Sequence, residues 1–399
     1  MPDVASPWSI PTSTPNKKTN QSLGYEPWVS AVTGSARSHS LQTVLVGVLE
    51  GEGVGPEVTQ IALQVFAAAA SVTGTAFSVE IGGVIGCDAE KAVGIPLPDD
   101  VVTFCRSIFD RGGAMLNGPG GSRYVYDLRK AFDLYFKISP IQPHNALPEA
   151  SPVKAAVLRD VDLLVVRENI SGLYQGWPST ETDASGLEVS QHSFSYHETE
   201  VQRFLSAAAR LAALRRGQLT VVYKQHGVPS ISALWKRCSH QAAEAEGIQV
   251  SMVDVDLMAY QLVSQPAHFD VVAAPNMCGD ILADLAAVLL GSRAMSFSGN
   301  YTPAGSGVYQ TNHGAAYDLA GKDTASPVGQ ILSLAMMLRH SFGLHHDACA
   351  IENGLHAVWR QGWRTPEVAA PGTRIAGTRQ MGDLIAAAAA QAARDGLGS

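Results

Sequence analysis

The sequence predicts an α/β fold built on a largely parallel sheet, and three observations carry that prediction. Apolar, β-branched runs of strand length recur at seven places along the chain. Helical patterns lie between several of them, notably over 198–215 and 229–246; strands alternating with helices are the mark of a parallel α/β sheet. Charged residues gather just past strand ends: Arg167 and Glu168, Lys224, Asp256, then Asp280 and Asp284. Ligands of open α/β sheets bind at those carboxyl ends.

Bulk properties narrow the class. The chain has 399 residues, 46% hydrophobic and 16% charged, enough for two domains or one large α/β unit. A net charge of -8 argues against nucleic acid as a main partner and gives no sign of a membrane surface. No apolar run reaches membrane-span length. The five cysteines (87, 105, 238, 278, 349) are odd in number, widely spaced and without a CxxC pair, which suits reduced thiols and a cytoplasmic location.

Residues 1–40 are rich in Ser, Thr and Pro and read as a flexible or loosely docked arm, with Trp8, Tyr25 and Trp28 as candidate pins. The first strand is Thr43–Leu49. Glu50-Gly51-Glu52-Gly53-Val54-Gly55-Pro56-Glu57 ends it, and Pro56 suits the first position of a helix to about Ala70. The glycine spacing is wrong for a GxGxxG dinucleotide fingerprint. A second strand is Phe77–Ile81. A helix within 101–116 leads to a strand ending Ala114-Met115-Leu116. After the loop 117–123, a helix over Val125–Tyr135 carries Arg129 and Lys130, and Ser139-Pro140 and Pro143 break the pattern.

Further strands are read at 162–166, 219–223, 250–255 and 271–274. The last leads into Asn276-Met277-Cys278-Gly279-Asp280-Ile281-Leu282-Ala283-Asp284 and a helix to Leu290. Gly279 reads as permitting a tight turn at the strand end. Asp280 and Asp284 stand four apart, on one helix face. On these residues alone two readings stay open: a hard cation between the carboxylates, or one Asp capping the helix and the other solvated. The stretch 291–328 reads as loop, followed by helices over 327–342 and roughly 380–394.

Taken together these pieces resemble the β-decarboxylating dehydrogenases, the family of isocitrate, 3-isopropylmalate, homoisocitrate and tartrate dehydrogenases. The resemblance covers about 43–395 and rests on motifs in order: Gly51–Glu57, Leu128-Arg129-Lys130, Asp133-Leu134-Tyr135, Arg167-Glu168-Asn169 with Gly172-Leu173-Tyr174, Lys224, the three aspartates 256, 280 and 284, and His313-Gly314 through Ser326-Pro327. It implies a two-domain fold with a large mixed, mainly parallel sheet, distinct from the Rossmann fold. A cofactor-side domain would take 41–135 plus 291–399. A smaller domain, 136–290, would carry the metal site and a homodimer contact, with Lys224 and Asp256 lent to the neighbour's site.

The implied reaction is oxidative decarboxylation of a 2-hydroxy acid bearing a 3-carboxylate, using NAD and Mg²⁺ or Mn²⁺. Lys224 would help deprotonate the hydroxyl and Tyr174 would protonate the product carbon. Arg129 and Arg167 would clamp carboxylate. Asp256, Asp280 and Asp284 would hold the metal. His313, Gly314, Ala315, Ala316, Asp318 and Ser326 would contact the cofactor, and an acid at 318 favours NAD over its 2′-phosphorylated form.

Some positions depart from the family pattern. Ser139-Pro140 stands where Arg-Pro is usual, so a substrate-binding arginine is missing at Ser139. Ser122-Arg123-Tyr124-Val125-Tyr126 matches neither an isopropyl pocket nor an isocitrate site, and Arg123 with the tyrosines points to a polar or anionic tail on the substrate. Pro275 and Gln310 replace acids. A specialised analogue of isopropylmalate or isocitrate is therefore the first expectation. Ordinary 3-isopropylmalate or isocitrate dehydrogenase is the second, and a non-catalytic regulatory subunit of a family heteromer is the third.

Overall fold

A computed structural model describes residues 28–35 and 43–397. Helix α1 (Trp28–Thr33) precedes β1 (Val44–Leu49), α2 (Gly55–Thr73), β2 (Phe77–Ile81), α3 (Gly86–Val93), α4 (Asp99–Asp110), β3 (Ala114–Asn117), α5 (Tyr124–Ala131) and β4 (Phe136–Ile141). The middle of the chain forms α6 (Ala155–Leu158), β5 (Leu163–Glu168), β6 (Trp177–Thr182), β7 (Glu188–Ser193), α7 (Glu198–Ala213), β8 (Gln218–Tyr223), α8 (Pro229–Glu246), β9 (Gln249–Asp254), α9 (Val255–Ser264), β10 (Val271–Ala274) and α10 (Asn276–Leu290). The last part forms β11 (Phe297–Tyr301), β12 (Gly307–Thr311), α11 (Val328–Phe342), α12 (His345–Arg360) and α13 (Thr378–Leu397).

Ten strands make one sheet in the order β2-β1-β3-β12-β11-β4-β5-β10-β8-β9. The pairs β12–β11, β11–β4 and β4–β5 are antiparallel; the others are parallel. The expected mixed, mainly parallel sheet is therefore present. Its first five strands come from 44–117 and 297–311, and its last five from 136–274.

Alternation along the strands explains where the cleft lies. Successive side chains point to opposite faces. On one face Val46, Val48, Phe136, Ile138, Leu164, Val166 and Val221 join a single core with α2, α7, α11 and α13. On the other face the core is split. Leu163, Val165, Val222 and Ala274 pack with α9 and α10. Leu49 and Met115 pack with α4 and α5. Between these two cores lies β4, whose residues 137 and 139 stand on the split face. A fully buried Leu or Val contributes about 1.5–3 kcal/mol. A break in such packing over the central strands marks a place kept for polar groups.

Several elements differ from the sequence reading. Strand β4 forms through Ser139-Pro140, where a break was expected. Strands β11 and β12 form inside the expected loop 291–328. The hairpin β6–β7 and helix α12 were also not read. Within the expected arm 1–40, residues 28–35 are packed rather than flexible. Val29 is fully buried, Trp28 stacks on His340 with centroids 4.4 Å apart, and Arg210 Nε donates to the Ala31 carbonyl at 2.6 Å. Trp8 and Tyr25 lie outside the described residues.

Candidate active site at the split face

The site is built from α10 upward. Pro275 is the N-cap residue and Asn276 begins the helix, so Gly279 lies in the first turn and makes no turn of its own. Its role is close approach. A Cβ at 279 would stand 2.8 Å from the Arg167 Cβ, so glycine lets the end of β5 lie against α10. Arg167 is then held tightly. Its Nε and Nη2 donate to Asn276 Oδ1 at 3.1 and 2.8 Å, and its Nη1 pairs with Asp280. The Asn276 amide in turn donates to the Ser171 carbonyl at 2.7 Å.

Two more cations share this cleft. Arg129, on α5, is only 4% exposed, and its Nε has no hydrogen-bond partner. Burial first, and Arg167 second, pull its guanidinium down to about 9, so it stays charged at neutral pH. Lys137, on β4, is 5% exposed. Burial, then Arg129 and Arg167, hold its amine well below the ordinary lysine value. With Tyr126, Asp280, Asn312 and His313 these cations line a cleft of about 150 Å³. Lys137 was not singled out from the sequence; the missing signal was the strand itself, because alternation along β4 puts 137 on the same face as 139.

Asp280 and Asp284 project from one face of α10. Asp280 is paired with Arg167, and Asp284 Oδ2 lies 2.7 Å from Arg293 Nη2. Burial is the main cause raising the Asp284 carboxyl; Arg293 opposes it and Asp280 adds to it. Two oxygen-donor side chains on one face, one held above its ordinary value, fit a hard divalent cation. Asp256 does not join them. It sits exposed in the first turn of α9, its Oδ1 2.5 Å from Lys224 Nζ, which is also 3.7 Å from Asp254 Oδ2. The Lys224 bond lowers Asp256, and the same bond raises Lys224. Among the described residues no three His, Cys, Asp or Glu side chains group closely enough to hold a metal.

Tyr174 stands beside the acids in a 3₁₀ turn, Leu173–Gln175. Burial and the charge of Asp280 push its phenol up to about 12, so it remains protonated at neutral pH. Its ring meets Tyr126 edge-on at 5.5 Å, and the Arg167 guanidinium lies 5.5 Å from its centroid. The 122–126 segment divides. Tyr124 is buried, its hydroxyl donating to the Gly118 carbonyl at 3.3 Å. Tyr124, Val125 and Tyr126 all line the cleft. Arg123 is exposed at the N-cap of α5, 5.4 Å from the Tyr126 ring centroid, and does not line the cleft. Ser139 is buried and accepts from Asn312 Nδ2 at 3.3 Å.

Residues 313 and 314, just past β12, close the cleft from that side. Val54 N donates to the Ala315 carbonyl at 2.9 Å, tying the 313–318 loop to the glycine-rich segment after β1. His313 Nδ1 donates to the Gly314 carbonyl at 2.9 Å, leaving its buried Nε2 without a partner. Ala316 has a positive φ of 44°, and Gly314 and Asp318 are exposed. An open loop with an unpartnered ring nitrogen and an outward acid fits an adenosine-bearing cofactor. Ser326 does not share that surface: it is buried, and the Thr365 hydroxyl donates to it at 3.2 Å. A larger groove of about 560 Å³ lies between α12 and α13 and contains none of these residues.

Comparison with known proteins agrees with the geometry. Residues 45–385 match the family described as isocitrate/isopropylmalate dehydrogenase. A 3-isopropylmalate dehydrogenase of Halalkalibacterium halodurans is 35% identical over 353 residues, 85% of this chain and 96% of the relative. One of Synechococcus sp. is 37% identical over 372 residues, 90% of this chain and 96% of the relative. The crystal structure of isocitrate dehydrogenase from Methylococcus capsulatus superposes with a TM-score of 0.77 at 29% identity, covering 87% of this chain and all (100%) of that one.

Proposed function

The chain belongs to the isocitrate/isopropylmalate dehydrogenase family, and on that premise we propose that it oxidatively decarboxylates a 3-substituted malate using NAD and Mg²⁺ or Mn²⁺. The enzyme class follows from membership; the substrate, cofactor and metal are the proposal. One observation carries it: Arg129, Arg167, Lys137, Asp280, His313 and Gly314 line one cleft, and Tyr174 stands against its Tyr126 and Arg167. A dicarboxylate ligand answers the excess of buried cations there. A divalent cation, when bound by Asp280 and Asp284, supplies Lewis-acid polarisation of the substrate's hydroxyl oxygen.

The chain's own groups then have defined tasks. Arg129 and Arg167 neutralise and orient carboxylate. Tyr174, a neutral phenol, can deliver a proton to the product carbon. Lys224 would reach the substrate hydroxyl in the cleft of a second copy and assist its deprotonation once Asp256, whose bond keeps the amine protonated, turns to complete that copy's metal site. The exposure of Lys224 and Asp256, 43% and 70% by side chain, supports this sharing. So does the β6–β7 hairpin, in which every residue is exposed; a lone two-stranded ribbon is marginal in water and is stabilised by cover. The strand order supports a division into 41–135 plus 291–399 and 136–290. Asp318 supports NAD, because an acid accepts from ribose hydroxyls and repels a 2′-phosphate.

The substituent on C3 would lie against Val125 and Tyr126. The aromatic hydroxyl, with Arg123 nearby, supports a polar tail. A second reading, 3-isopropylmalate itself, is favoured by relatives of that name at 35–37% identity and by Val125 in the lining. The test is NADH formation by the purified chain with Mn²⁺ and a panel of 3-substituted malates. The proposal expects metal-dependent NADH with at least one of them. Best turnover of 3-isopropylmalate would select the second reading, and no turnover of any member would overturn both.

A further inference from the structure

We propose that Lys137 is a substrate-binding cation, moved two residues along β4 from the place where this family usually carries an arginine. The proposal rests on the dehydrogenase reading above and deepens it.

Geometry sets the displacement. Positions 137 and 139 share the cleft face of β4, about 7 Å apart along the strand. Ser139 is opposite Val165, whereas Lys137 is directly opposite Arg167. Moving the cation from 139 to 137 therefore carries it toward Arg167 and away from Asn312, which donates to the Ser139 hydroxyl.

The lysine has no structural partner. Among the described residues its amine makes no hydrogen bond or ion pair, although the side chain is 5% exposed. The nearby acids are already engaged, Asp280 by Arg167 and Asp284 by Arg293. A lysine directly opposite an arginine on the neighbouring strand is held toward its neutral form, and a buried amine without a partner is costly. Such a residue weakens the empty protein; an incoming carboxylate would supply the missing countercharge. A lysine offers a compact ammonium where an arginine offers a planar fork. The site would therefore favour a malate whose carboxylate sits nearer Arg167 than the usual arrangement allows.

The probe is whichever 3-substituted malate the unaltered enzyme turns over fastest. Its binding to the Mn²⁺-loaded protein without NAD is measured by calorimetry, beside KM, kcat and the melting temperature of the empty protein. Lys137→Met is expected to weaken binding and raise KM about 10- to 150-fold, with kcat little changed. The melting temperature should not fall, because a buried amine without a partner has been replaced by an apolar side chain of similar length. Lys137→Asn/Ser139→Arg should bind better than Lys137→Asn alone. Unchanged binding in Lys137→Met, or a lower melting temperature with binding intact, would overturn the proposal and leave Lys137 a structural residue. Lys137→Gln answers the same question if the methionine variant does not fold. Absence of turnover by the unaltered enzyme overturns the dehydrogenase reading itself, so the two failures are distinguishable.

Discussion

Two of the places where the molecule pairs a cation with an aspartate differ in nearly every other respect. In the cleft, Arg167 is 3% exposed and is fixed by Asp280, Asn276 and the close approach at Gly279. At the far edge of the sheet, Lys224 and Asp256 meet at 2.5 Å in the open, and among the described residues no group of three acids there completes a metal site. The first pair is preorganised by its own chain. The second is chemistry without a wall, which on the proposed reading is supplied by a second copy. Exposed ion pairs contribute little to stability, so the Lys224–Asp256 pair is better explained by function than by folding.

That contrast can be broken by substitution. Lys224→Met should lower kcat by about 10²–10⁴-fold, as expected for loss of a proton-transfer group. It should leave the melting temperature of the chain unchanged, as measured by calorimetry. A large loss of stability would mean that the exposed pair is structural after all. Arg167→Met should affect both properties: it strands the Asn276 carbonyl oxygen and removes a carboxylate contact. The expected stability loss is about 1–3 kcal/mol, read by denaturant unfolding, together with a raised KM. A change in KM without a change in stability would show that the network around Arg167 is not what holds β5 against α10.

A smaller effect sharpens the picture of the buried side. Glu168 accepts from the Ile170 and Ser171 amides at 2.8 and 3.0 Å, yet burial raises its carboxyl to about 7. The native state therefore binds more protons than the unfolded state between the ordinary value of 4.5 and about 7. Stability should fall as pH rises through that window. Glu168→Gln keeps the acceptor and should flatten the decline, raising the melting temperature at pH 8 by a few degrees. An unchanged pH profile would contradict this.

The parallel strands were legible because they are buried on both faces and read as apolar runs; Val271–Ala274 and Leu219–Tyr223 are examples. The antiparallel centre was not. Strand β4 carries Lys137 and Ser139 because one face of it is the floor of the cleft, and the chemistry of the site erases the strand signal. Strands β11 and β12 read as loop for a packing reason. A Cβ at Gly299 would stand 2.6 Å from the Tyr301 hydroxyl, so close-packed tyrosine rings demand glycine there. The acids and arginines of the site were legible as motifs. Lys137 was not, because its meaning depends on the register that places it opposite Arg167. The packed helix at 28–33 was hidden by its polar surroundings, although Trp28 was a visible pin.

The central claim is that one chain holds half of each site. Lys224→Met and Asp280→Asn variants should each be inactive alone. Refolded together, random pairing gives half heterodimers, each with one intact site, and NADH formation should return to about a quarter of the unaltered rate. No recovery in a mixture shown to contain heterodimers would contradict the account and place Lys224 outside the reaction or within its own chain's cleft.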